Sequence, residues 1–186
     1  MDETAARSTK TSLRSDLLAA RREIVAGRDR LADDRALADH VLDVVRTRGL
    51  GEGDTIAAFE AMRSEPPTIA TIEALVRHGI RVLVPITLPD NDLDWCDAKD
   101  DRRMPLGPAA ISAAVLVLAP GLAVDSSGTR LGRGGGSYDR ALPRRRPDAP
   151  VLVVLHPGEI HPTALPADDH DEPVDGVLTA DGITWL

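Results

Sequence analysis

Between Pro120 and Arg140 the chain reads PGLAVDSSGTRLGRGGGSYDR. Arg130 and Arg133 are set among Gly132, Gly134, Gly135 and Gly136, and Ser137, Tyr138 and Asp139 follow at once. Glycines let backbone N–H groups approach an anion with no Cβ in the way. Such groups form a concave nest for phosphate, above all where a helix begins. Arginines add forked donors that match phosphate oxygens. An aspartate beside a phosphate cradle is suited to Mg²⁺. Residue types and order thus fit a nucleoside triphosphate site. The run is neither a Walker loop nor a dinucleotide fingerprint, since no glycine precedes Lys-Ser or Lys-Thr and G-x-G-x-x-G does not occur at Gly132 or Gly134. Read alone, it is equally a tight connection between two elements.

The elements that must position this run alternate. TSLRSDLLAARREIV, from Thr11 to Val25, predicts an amphipathic helix with Leu13, Leu17, Ala20 and Ile24 on one stripe. Asp33 is expected to cap a second helix to about Arg48, stopped by Gly49. Thr55 to Phe59 and Arg81 to Pro85 predict strands, with a helix from Thr68 to Gly79 between them. Ala114 to Leu118 and Val151 to Leu155 are continuous apolar runs, as strands covered on both faces require. The polar stretch Asn91 to Pro108 reads as a surface excursion. The pattern predicts one three-layer α/β domain over residues 1–186, with a mostly parallel central sheet flanked by helices. In open sheets of this kind ligands gather beyond the carboxyl ends of strands, where the glycine run and Glu65 both fall.

Composition narrows the function. A net charge of -8 argues against a nucleic-acid surface, which needs a basic stripe, but not against a small anion held by local arginines. The single cysteine, Cys96, excludes an internal disulfide and is expected to be a small buried hydrophobe. No apolar run reaches membrane-spanning length, and MDETAARSTK lacks a signal core, so the cytoplasm and no membrane partner are expected. His161 and His170 match no spaced metal motif and read as loop histidines. Lys10 is one of two lysines among 22 basic residues. Lys10 and Arg14, at i and i+4, share a helix face; from the residues alone they read as a solvated helix end.

Pro-Gly-Leu-Ala-Val-Asp followed by Gly-x-Arg-Leu-Gly-Arg-Gly-Gly-Gly-x-Tyr-Asp-Arg resembles the signature of the 5-formyltetrahydrofolate cyclo-ligase, or methenyltetrahydrofolate synthetase, family. Lys10-Thr-Ser-Leu-Arg14, the segment Phe59 to Thr68 with Glu65, and Leu165-Pro166 followed by His170-Asp171 and Val174-Asp175 extend the resemblance over most of the chain. It implies ATP binding by Lys10, Arg14 and the loop Arg130, Gly132, Arg133, Gly134, Gly135, Gly136, Ser137 and Tyr138. It implies Mg²⁺ at Asp139 and Asp171, folate contacts at Glu65 and Tyr138, and catalytic roles for Arg133 and Tyr138. The activity implied is ATP- and Mg²⁺-dependent conversion of 5-formyltetrahydrofolate to 5,10-methenyltetrahydrofolate by a monomer.

The sequence also departs from that pattern. Ser137 stands where an aromatic residue usually precedes the tyrosine, and Glu60 where an apolar residue is common. The segment from Trp95 to Ile111 is shorter than usual. These departures motivate a second reading, a nucleotide- or folate-binding homologue impaired in catalysis. A sugar-phosphate enzyme on a related α/β scaffold is a third.

Overall fold

The computed structural model describes residues 3–168 and 171–186, with residues 3–9 described as backbone alone. His170 lies outside the described residues. Four parallel pairings join β2 (Arg81–Thr87), β1 (Thr55–Ala57), β4 (Ala114–Pro120), β7 (Val151–Val154) and β8 (Gly176–Thr179), in that spatial order. Antiparallel strands close both edges, β3 (Leu93–Asp97) beside β2 and β9 (Gly182–Trp185) beside β8. The result is a single domain around a mostly parallel seven-stranded sheet.

Both sheet faces are buried, as the apolar runs require. Side chains alternate: Ile56, Val82, Val84, Leu116 and Leu118 pack with Leu37, Val41 and Val45 of α2 (Arg30–Arg48) and Leu75 of α3 (Ile69–Arg77). Ala57, Leu83, Val117, Ala119, Val151 and Val153 pack on the other face with Ile111 of a 3₁₀ turn and with Tyr138 and Ala141 of α4 (Ser137–Ala141). Each strand thus supplies both cores with successive residues. Cys96 is fully buried, as expected of a small hydrophobe.

Several local expectations need correction. The second helix is capped by Asp29, whose carboxylate accepts from Leu31 N and Ala32 N at 3.0 and 3.1 Å. Asp33 instead lies in the first turn, where the Arg28 fork holds it at 2.6 Å. Asn91 to Pro108 is not wholly an excursion, because Leu93–Asp97 forms β3 and buries Trp95 completely. The alternation Leu93, Trp95 against polar Asp94 is what an edge strand needs. The first helix, α1 (Glu3–Ala26), begins earlier than Thr11, and Ala20 is exposed. The position next to it, Arg21, is buried instead.

A second, two-stranded sheet pairs β5 (Ala123–Val124) with β6 (Arg130–Leu131). Asp125 frames its turn, accepting from Ser127 N, Ser127 Oγ, Thr129 N and Leu165 N at 2.6–3.1 Å. Burial alone would raise the Asp125 carboxyl, but these donors outweigh it and hold the group below its ordinary range. The ribbon is where α1 docks: half-buried Leu13 and Leu17 pack against Ala123, Leu131 and Leu165.

Candidate active site

A cavity of about 800 Å³ opens beyond the carboxyl ends of β1 and β4. The chain leaves β1 through α3 toward β2 on one side, whereas β4 is followed by β7 on the other. Neighbouring connections that diverge leave a crevice between the two strand ends, the switch point where open α/β sheets take ligands. Phe59 beyond β1, and Pro120 and Gly121 at the end of β4, line it. Every residue singled out from the sequence also lines it: Lys10, Arg14, Glu65, Arg130, Gly132, Arg133, Gly134, Gly135, Gly136, Ser137, Tyr138, Asp139 and Asp171.

The glycine run connects β6 to α4. Among the described residues, the backbone N–H groups of Arg133, Gly134, Gly135 and Gly136 find no protein acceptor. The helix that follows is only five residues long, so its dipole adds little; loop amides and arginines carry the anion-binding capacity. The glycines also make room for those arginines. A Cβ on Gly132 would stand 2.8 Å from Arg130 Nη1, one on Gly134 3.4 Å from Arg14 Cζ, and one on Gly136 2.9 Å from Arg140 Nη1. Arg14 then donates to Gly132 O at 3.0 Å and Arg140 to Gly135 O at 2.8 Å.

Most cations here are matched to anions. Arg130 is buried, donating to the Asp139 carboxylate and to Pro120 O at 3.2 Å, with its guanidinium 5.8 Å from the Tyr138 ring centroid. Arg133 is exposed at the cavity; its Nη1 lies against Met62 and 3.5 Å from Glu65 Oε1. Lys10 is not a solvated helix end: it is 6% exposed and donates to Asp168 and Asp171 at 2.6 and 2.8 Å. Burial pulls the Lys10 ammonium down, but these two carboxylates outweigh it and hold it above its ordinary value. It is fully charged at neutral pH. Among the described residues, Arg14 is held by a carbonyl and no carboxylate.

On the opposite wall, the loop after β1 is built to present Glu65, itself buried. Thr68 Oγ1 donates to Phe59 O at 2.6 Å and accepts from Ala61 N at 3.1 Å. Glu65 Oε2 accepts from Met62 N at 2.8 Å, and Arg30 donates to Glu65 O at 2.7 Å. Tyr138 is 8% exposed, and its hydroxyl has no partner among the described residues. Burial pushes its phenol well up, with the Arg130 charge pulling weakly the other way. It is a hydrogen-bond donor at neutral pH and no base.

Asp139 and Asp171 are each engaged by a cation, and no group of three or more His, Cys, Asp or Glu side chains gathers among the described residues. That donor set suits Mg²⁺ in one setting: one or two carboxylates beside phosphate oxygens, with water completing the shell. It does not form an all-protein metal cage.

A family model for the 5-formyltetrahydrofolate cyclo-ligase family matches residues 6–180. This chain belongs to the 5-formyltetrahydrofolate cyclo-ligase family. A 5-formyltetrahydrofolate cyclo-ligase from Mycolicibacterium smegmatis is 36% identical over 144 residues, 68% of this chain and 74% of that protein. One from Mus musculus is 28% identical over 148 residues, 68% and 73% of the two chains. The fold matches a 5,10-methenyltetrahydrofolate synthetase from Mycoplasma pneumoniae with a TM-score of 0.74, covering 92% of this chain and 98% of that one at 21% identity. A synthetase from Aquifex aeolicus gives 0.70 over 95% and 92%, at 19% identity. The cyclo-ligase family assignment makes the chain an enzyme acting on a folate, and the cavity is the site where the family signature converges.

Sequence reading passed over several residues that shape this cyclo-ligase site. Asp168 pairs with Lys10, Arg30 holds the Glu65 loop, and Arg21 anchors α1 through Glu159. Asp168 and Glu159 lie in loops, where no periodicity marks a partner. Arg21 carried a signal: it lies on the same helix face as Lys10 and Arg14, eleven and seven positions on.

Proposed function

We propose that the chain closes 5-formyltetrahydrofolate to 5,10-methenyltetrahydrofolate, using ATP and Mg²⁺ and releasing ADP and phosphate. The observation that carries this reading is the shared cavity. Unpartnered loop amides with Lys10, Arg14 and Arg130 line it on one side, buried Glu65 with Phe59 lines it on the other, and Arg133 reaches between them to 3.5 Å from Glu65. A triphosphate fits the first side and a heterocycle with N–H donors the second.

A formamide oxygen is a poor leaving group. Transfer of the γ-phosphoryl to that oxygen breaks the bond to ADP and makes the oxygen a phosphate ester. The lone pair of N10 then attacks the formyl carbon, the N10 proton departs, and the carbon–oxygen bond breaks to release phosphate. The protein's task is placement and charge neutralisation. Arg133, which reaches the cavity from an exposed loop, and Arg130 at its base face the developing charge. Lys10 and Arg14 take phosphate oxygens. The loop amides are fixed dipoles that need no reorganisation. Tyr138, protonated, donates a hydrogen bond toward the reacting end. Asp139 or Asp171 would hold Mg²⁺, which would supply positive charge against the phosphates. Glu65 accepts from the folate ring.

Mixing protein, ATP, Mg²⁺ and 5-formyltetrahydrofolate should produce methenyltetrahydrofolate absorbance that disappears when ATP is omitted. ATP binding with no product would favour the impaired homologue, which Ser137 at the start of α4 motivates. Turnover that ignores ATP altogether would end the phosphoryl-transfer reading.

A further inference from the structure

Lys10, Arg14 and Arg21 stand on one face of α1. The first two line the cavity, while Arg21 is 1% exposed and fixed elsewhere. Its Nε donates to Glu159 Oε1 at 2.6 Å, and its Nη2 to Glu159 Oε2 and to Gly121 O, both at 2.7 Å. Glu159 is secured in turn by His156 N at 2.8 Å. Gly121 follows directly on β4 and is part of the cavity wall. A Cβ there would stand 2.7 Å from Val153 Cγ1, so this stretch of backbone is pressed against β7 and has no room to shift.

Among the described residues no apolar side chain of α1 is fully buried. Leu13 and Leu17, both half-buried, pack against the small ribbon, and half-buried apolar contacts fix the roll and height of a helix less sharply than a directional bond. A bidentate guanidinium–carboxylate fork has one good geometry and removes both freedoms. Net stability does not account for a buried pair here, since apolar residues of similar volume commonly do as well or better.

We infer that Arg21, through Glu159 and the Gly121 carbonyl, is a positioning residue that sets the rotation and height of α1. It thereby holds Lys10 and Arg14 at the phosphate end of the cavity. The inference rests on the ATP reading of those two residues. Glu65 and Phe59 belong to the loop after β1, which meets this network only at second hand, through the His156 ring at Ser64 O, whereas α1 itself carries Lys10 and Arg14; the larger effect therefore falls on ATP.

Two variants test it. Arg21→Gln combined with Glu159→Gln removes both charges yet keeps an acceptor for His156 N. Arg21→Lys keeps the charge and loses the fork. The expected result for both is a KM for ATP raised roughly 10- to 100-fold, as remote misplacement of binding groups typically costs. KM for 5-formyltetrahydrofolate changes far less, and amide hydrogen exchange quickens from Lys10 to Leu17 while the sheet is unchanged. Wild-type constants for both substrates, or two KM values rising together with a falling Tm, would overturn the inference. Should the double variant not fold, Arg21→Lys is judged by the same criteria. If the wild-type protein shows no ATP-dependent turnover, the ATP reading fails on that result, and unchanged exchange in α1 would separately refute the anchor.

Discussion

Lys10 Nζ lies 2.8 Å from Asp171 Oδ2, across 161 positions of the chain. The side chains are 8% and 14% exposed, so the pair is poorly screened and persists in salt. It joins the first helix to the segment before β8 at the rim of the cavity. A cation suited to phosphate and a carboxylate suited to metal thus neutralise each other in the free protein. Under the proposed function, Mg²⁺ and a triphosphate would bring both opposite charges at once, so that each member of the pair could exchange partners.

That exchange separates two roles for the carboxylates. If Asp139 holds metal, Asp139→Asn raises the Mg²⁺ concentration needed for half-maximal rate. If it merely holds Arg130, the metal titration stays put while KM for ATP changes. Asp171→Asn divides the same way with respect to Lys10. Titrations of Mg²⁺ at saturating ATP, in wild type and both variants, decide each case.

Arg133→Ala should lower kcat about 10²-fold or more, the usual loss when one charge-stabilising donor is removed. Its side chain is 39% exposed and its one ion-pair contact, to Glu65, is long at 3.5 Å, so Tm should move little. Unchanged turnover in the folded variant would take Arg133 out of the mechanism.

Tyr138→Phe removes a buried hydroxyl that has no partner in the free protein. Deleting such a group relieves a desolvation cost, so Tm should hold or rise. Under the proposed role, in which the hydroxyl donates to a bound ligand, turnover should fall. A variant with lower Tm and full activity would show a structural bond and no substrate contact.

Gly136 has φ +68 in the left-handed region. Gly136→Ala should cost about 1–2 kcal/mol from backbone strain, and its Cβ would push the tip of Arg140 aside. Chemical denaturation should register the loss, and KM for ATP should rise as the loop amides shift.

His156 gives a pH dependence. Burial holds its imidazole below the ordinary value, against the opposing pull of Glu159, and Nε2 bonds Ser64 O at 3.2 Å. A neutral ring with a proton on Nε2 satisfies that carbonyl. On unfolding, the ring regains an ordinary pKa of about 6.5 and takes up a proton. The unfolded chain then binds more protons, so this contribution is complete above about pH 6.5 and is lost as pH falls toward the lowered folded value. Thermal unfolding between pH 7.5 and 5.5 should show a steeper loss in wild type than in His156→Gln. Equal slopes would remove His156 as the source.

The parallel core was legible because its strands are buried on both faces. Ala114 to Leu118 and Val151 to Leu155 carry that requirement in their own residues, with no need of a partner. The glycine run was legible for a similar reason, since glycine, arginine and aspartate each restrict what a backbone can do locally. β3 was hidden by the aspartates around Trp95, which are tolerable because an edge strand has one wetter side. β8 and β9 were hidden by brevity, although Asp181-Gly182 is a hairpin signal.

The sequence by itself determined the fold class, the family signature and the glycine–arginine loop that lines the cavity. The fold class follows from periodicity and the loop from residue chemistry, which are local; Lys10, Arg14, Glu65 and Asp171 were marked only by the family resemblance. Tertiary structure alone decided the pairings: Lys10 with Asp168 and Asp171, Arg130 with Asp139, and Arg21 with Glu159 and the Gly121 carbonyl. A charge on an amphipathic helix looks solvated until another segment buries it. Which carboxylate meets which cation depends on loop closures between residues far apart in the chain, and no short-range pattern encodes them.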